Sequence, residues 1–195
     1  MAEPAAQGAA LSVDRFWQLV DGTLDADPNR QASLLGPRLR ALSGEDLAGF
    51  HRRYVQLAND IATAPHFSAA AEVVMGFVSQ DVFVDFRTWI VFQGRQRYES
   101  FRADPDSLAE WGLSDDEQLG AAEILEYLPQ EVGGGSPDWA NDGPSVYIEP
   151  TGNVEDVPYS TLRQRFPRLA HIYLPPNEAA STPTQEGPRE VRRWH

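Results

Sequence analysis

Two aspartates four residues apart, Asp81 and Asp85, sit in the run SQDVFVDFRTWIVFQGR, with Arg87 and Trp89 just after them. On a helix a spacing of four puts both carboxyls on one face, and Thr88 extends that face. Two carboxylates can work as general acid and base, or as oxygen ligands of a hard cation. Arg87 would add a guanidinium, and Trp89 an aromatic surface. Asp81, Asp85, Arg87 and Trp89 are therefore the candidate ligand-binding residues. The same residues have a structural use. Asp85 gains nothing from helix propensity and is repelled by Asp81, so it wants a compensating cation such as Arg87, Arg95 or an arginine of another helix. The spacing leaves open an ion pair that holds the helix in place, a ligand site and a cation site.

Other chemistries are excluded by residue type. All sixteen basic residues are arginine, so no Walker A lysine, Schiff-base lysine or Ser-x-x-Lys acyl transfer is available. With no cysteine, thiol nucleophiles, redox pairs, zinc fingers and disulfides are excluded too. His51, His66, His171 and His195 have no metal-ligand spacing, and no serine stands in a GxSxG context. Gly133-Gly134-Gly135 lacks a following lysine and reads as a flexible loop rather than a phosphate cradle. No catalytic residue, metal ligand or cofactor is assigned from these patterns. Trp17, Trp89 and Trp111 read first as packing residues. Trp139, in the irregular stretch GGGSPDWANDGP, is the candidate for a lid over a pocket.

A formal charge of −13 over 195 residues argues against nucleic acid and anionic membrane surfaces, whose partners need clustered cations. It suits a cationic partner or plain solubility. The N-terminus has neither a basic nor an apolar signal region, and no apolar run is long enough to span a bilayer. The cytoplasm is the expected compartment.

Residues 1–11 read as a disordered leader and 175–195 as a disordered tail, with one mainly α domain of six to eight helices over 12–174 between them. Ser12 or Asp14, Asp27-Pro28, Ser43, Ser79 and Ser114 are the expected helix starts. Gly36-Pro37 is expected to break or kink the second helix. The helix from Ser79 to Gly94 reads as amphipathic, with Asp81, Asp85 and Thr88 opposite Phe83, Phe86, Trp89 and Ile90. The segment 145–149 leaves room for one short strand or hairpin, and Pro158 to Leu169 for a last short helix.

Three stretches together resemble the DUF4240 family of bacterial proteins. Asp14-Arg15-Phe16-Trp17-Gln18-Leu19-Val20 resembles its opening helix. Leu39, Leu42, Leu47, Phe50 and Tyr54 around the Ser43 cap resemble its next pattern. Ser79, Asp81, Phe83, Asp85-Phe86-Arg87, Trp89, Ile90 and Gly94, followed by Asp104-Pro105, resemble its central one. Gln80 and the Gly/Pro-rich segment depart from the family pattern. The resemblance covers roughly 12–172 and implies a mainly helical fold; it implies no reaction. The expected function is that of an acidic binding, regulatory or accessory protein engaging a protein or small-molecule ligand. An enzyme working through Asp, Arg and His groups, and an immunity protein for a basic toxin, are the alternatives. Oligomeric state is left open.

Overall fold

Short polar side chains set where the helices start. In the computed structural model, which describes residues 9–70, 79–112, 122–135, 145–151 and 159–174, Ser12 accepts from the Arg15 amide at the head of α1 (Val13–Asp21). Asp27 does the same for Asn29 at α2 (Pro28–Arg40), with Pro28 opening the helix. Ser43 accepts from the Asp46 amide and donates to its carboxylate at α3 (Gly44–Asp60). The short α4 (Ala64–Ala70) follows; Ser79 then accepts from the Val82 amide to start α5 (Gln80–Phe92). The chain continues through α6 (Arg95–Ala103), a 3-10 helix (Pro105–Trp111), α7 (Glu123–Val132), α8 (Tyr159–Arg165) and α9 (Pro167–Tyr173).

These nine α-helices and one 3-10 helix among the described residues form a mainly α domain without a sheet. They are shorter and more numerous than the six to eight expected. Pro167 splits the last segment in two, and the stretch after Asp104 winds as a 3-10 helix. Pro37 does not break α2. It and Ser33 are exposed, so the Ser33 carbonyl that loses its helical donor faces water. Leu34 also faces solvent, leaving Leu35 and Leu39 to pack inward. Ala9, Ala10 and Leu11, placed in the leader by composition, lie against α3. The Leu11 amide donates to the Gly49 carbonyl, while Arg52 and Arg53 hold the carbonyls of Ala9 and Leu11. A Cβ on Gly49 would stand 3.1 Å from the Leu11 nitrogen, so a larger residue there would press the Ala9–Leu11 segment away from α3 by a few tenths of an ångström. The helix expected at Ser114 and the leader and tail segments 1–8 and 175–195 lie outside the described residues.

No ladder forms at 145–149. The carbonyls of Ser145 and Val146 are taken by the side chains of Asn59 and Arg87, and among the described residues β pairing is limited to a parallel bridge between Thr63 and Thr151. Among the described residues no helix is long and apolar enough to cross a membrane.

The helix expected to be amphipathic is instead the centre of the core. Phe83, Val84, Phe86 and every residue from Arg87 to Phe92 are buried. α5 packs against α3, α6 and α7. A helix enclosed on nearly all sides must be apolar nearly all round, which explains its three phenylalanines and one tryptophan. α2 is tied to it by Gln31, whose amide donates to the Phe92 carbonyl over 2.8 Å.

Buried Asp106 closes the far end of the fold. Its carboxylate accepts from the Arg168 and Leu169 amides at the start of α9 and from the Arg168 guanidinium. Asp106→Ala should lower stability by about 2–3 kcal/mol, because it leaves orphan amides at a buried helix end. Urea denaturation of this variant beside Glu110→Ala checks it, since the exposed Glu110 contact with Arg168 should be worth about 1 kcal/mol or less.

Candidate functional site

α5 carries the candidate residues, and its enclosure decides what each can reach. Trp89 is 3% exposed, its ring 5.6 Å from Trp111 and 6.2 Å from Phe86, so it is core and presents no face to a ligand. Arg87 is fully buried. Its Nε donates to the Phe83 carbonyl one turn back (3.3 Å). Nη1 donates to the Ala58 carbonyl and Asn59 Oδ1 (each 3.2 Å), and Nη2 to the Val146 carbonyl (2.8 Å). Its guanidinium carbon lies 4.8 Å from the Phe83 ring centroid. Ala58 and Asn59 end α3, where orphan carbonyls and the helix dipole favour a cation. Arg87 is thus a clamp joining α5 to the end of α3 and to the segment 145–151. Asn59 doubles the link through its bond to the Ser145 carbonyl (2.9 Å).

Asp85 therefore does not have Arg87 as its partner, and among the described residues it makes no ion pair. Half-buried on α5, it faces α7 and the carboxyls that helix brings. Burial, then the charges of Glu123 and Asp81, push its pKa up to about 6. Asp81 stays exposed in the first turn of α5 and acts on Asp85 through its charge.

Glu126 on α7 completes the arrangement. It is 4% exposed, and its Oε2 is buried with no hydrogen-bond partner. Burial comes first, then Asp85 and Glu123, in raising its pKa to about 7; Arg87 and a hydrogen bond with Tyr147 pull the other way. The charge of Asp85 is thus one of those that hold the proton on Glu126. Behind them the buried Tyr54 hydroxyl meets Thr88 Oγ1 at 2.6 Å; burial and the Glu126 charge push its pKa well up. Tyr147 is raised by its hydrogen bond with Tyr127, by burial and by Glu126.

The predicted face of Asp81, Asp85 and Thr88 exists, but it is roofed by α7 rather than open to water. Sequence reading missed Glu126, Glu123, Tyr127 and Tyr147. Glu126 had a signal: it lies between Leu125 and Leu128 and four residues after Ala122, all buried, on the inward face of its helix. Trp139 lies outside the described residues. The histidines described in detail are structural in setting. His66 links the Thr63 hydroxyl (2.7 Å) to the Arg102 carbonyl (3.2 Å), and burial lowers its pKa. His51 is lowered to about 4 by burial and by Arg52. Among the described residues no group of three or more His, Cys, Asp or Glu is arranged to hold a metal ion.

The chain matches a family model described as "Protein of unknown function (DUF4240)" over residues 11–132. That range holds α1 to α7, and with them Tyr54, Asp85, Arg87, Glu123 and Glu126, and it stops before Val146 and Tyr147. Comparisons with curated proteins and with solved structures return no match.

Proposed function

From the family to which the chain belongs, DUF4240, we propose a cytoplasmic bacterial binding protein, regulatory or accessory in role, that engages its protein or small-molecule ligand at the acidic seam where α7 packs on α5. One observation carries this reading: among the described residues the buried Oε2 of Glu126 has no hydrogen-bond partner, on the helix that faces Asp85. A buried carboxyl left unsatisfied costs free energy that a bound donor would recover. The test is carbon NMR of the side-chain carboxyls during titration with the low-mass fraction and then the protein fraction of a bacterial extract. Shifts at Asp85 and Glu126 are expected from one fraction; carboxyls unmoved by both would overturn the reading.

An enzyme reading has one observation of its own, the pair of carboxyls whose midpoints lie near 6 and 7, suited to acid–base work. It loses Arg87, whose donors are occupied by backbone carbonyls. The immunity reading rests on the acidic charge alone.

A further inference from the structure

We propose that the segment Val191-Arg192-Arg193-Trp194 docks back on its own chain. Trp194 seats in a depression between the 3-10 helix and α9, and Arg192 and Arg193 meet the carboxylates of Asp104 and Glu110 at its rim. The proposal stands apart from the seam of α5 and α7 and does not rest on it.

The depression comes first. It measures about 500 Å³ and is lined by Ala109 and Glu110 of the 3-10 helix and by Pro167, Arg168, His171 and Ile172 of α9. Ile172 is 54% exposed, the most open of the large hydrophobic side chains among the described residues, and Pro167 faces solvent as well. Covering them takes apolar surface out of water. An indole suits that work, because it brings a large rigid face and gives up little side-chain freedom.

Charge selects the segment. Arg168 answers three carboxylates at once, those of Asp104, Asp106 and Glu110, so this cluster carries two negative charges in excess. Asp106 is buried, whereas Asp104 and Glu110 are exposed and open to a second donor. Of the stretches outside the described residues, arginine occurs only in 175–195. Trp139 comes with Asp138 and Asp142, which the same carboxylates repel. Within 175–195, Trp194 is the one aromatic residue, and Arg192 and Arg193 stand directly before it. A second depression, of about 540 Å³ beside Leu24, carries Arg95 and Arg97 as well as Asp21 and Asp25, so it offers a basic segment no excess of acid.

The tether permits the return. Trp194 follows Leu174 by twenty residues, which span about 25 Å as a coil. The patch lies on α9 itself, a helix of about 10 Å that ends just before Leu174. A tethered segment is present at an effective concentration on the order of 1 mM, so a contact too weak to hold a free peptide is populated in the intact chain.

Methyl NMR of the full chain, labelled at isoleucine, tests the proposal. The Ile172 methyl should show a nuclear Overhauser contact to an indole that is lost in Trp194→Ser and kept on dilution. The fully buried Ile61 and Ile90 should not move. Arg192→Ser combined with Arg193→Ser should weaken the docking equilibrium, read from the Ile172 shift, by roughly threefold or more. An Ile172 methyl without the contact, and unmoved in Trp194→Ser, overturns the proposal. A contact that fades on dilution assigns the depression to the tail of a second copy and overturns docking within one chain. Arginine variants that leave the contact at full strength overturn the charge match on which the choice of segment rests. If Trp194→Ser fails to fold, assignment of the indole in the wild-type protein decides: Trp194 supports the proposal, and any other tryptophan overturns it.

Discussion

Arg87→Met lowers the unfolding free energy by roughly 3–4 kcal/mol, a large part of the stability of a domain this size. Methionine fills much of the same volume, so the loss is not chiefly one of packing. Replacing a buried ion pair by apolar groups is often harmless because both partners go. Here the partners are the carbonyls of Phe83, Ala58 and Val146, which no substitution at 87 can remove. The Phe83 carbonyl has a helical donor of its own. That of Val146 also accepts from the Ile148 amide (3.0 Å), so the Ala58 carbonyl, at a helix end, is the acceptor left buried without its donor, while the Val146 carbonyl loses its charged partner. Release of a desolvated guanidinium offsets part of the cost, which keeps the figure below the sum of four charged hydrogen bonds. Arg87→Lys should lose about 2 kcal/mol, since one ammonium cannot reach acceptors on both sides of a planar fork. Urea unfolding measures both, and amide exchange should speed up first at the end of α3 and over 145–151. A loss below about 1 kcal/mol for Arg87→Met would remove the clamp from the account.

That clamp shows where sequence reading stops. The caps at Ser12, Asp27, Ser43 and Ser79 were legible because capping is local: one oxygen answers an amide two or three residues on. The partners of Arg87 were not legible. Every residue carries a carbonyl, so nothing in the sequence marks Ala58 or Val146, 29 and 59 positions away, as acceptors. The spacing of Asp81 and Asp85 gave the face of α5 correctly and its surroundings wrongly, because periodicity reports a helix and not what lies on it. α7 covers that face and adds Glu126. The alternation at Val146 and Ile148 is strand-like, but a strand needs a neighbour, and side chains took its carbonyls first. Of the candidates, Asp85 faces α7, Arg87 and Trp89 take the structural use that their types also allow, and Glu126 is recoverable only by asking why an acid sits on an inward face.

Glu126→Gln should make the protein more stable above neutral pH, by on the order of 2 kcal/mol at pH 8, with little effect near pH 5. Asp85 and Glu126 hold their protons to about 6 and about 7 in the folded chain, against values near 4 when unfolded. Between those limits the folded state binds more protons than the unfolded one, so stability falls as pH rises. The groups facing the pair set the size of the fall: Asp81 and Glu123 add repulsion, Arg87 opposes it, and Tyr54 and Tyr147, both raised, stay neutral over this range. His51, lowered to about 4, acts in the opposite sense below pH 6.5, where its burial as a neutral ring favours higher pH, and His66 shares that direction. The two effects roughly cancel near pH 5. Above 6.5 the carboxyls act alone, and the wild-type protein should lose about 1–2 kcal/mol between pH 6 and 8. Glutamine keeps the shape of the protonated acid, never ionises, and offers Asp85 a donor. Urea midpoints taken at half-unit steps from pH 5 to 8.5 should therefore decline for the wild type and run nearly level for Glu126→Gln. Parallel declines in both would mean that Glu126 is already ionised at pH 6, with a cation of the protein beside it, and its carboxyl would then have no charge left to offer a ligand.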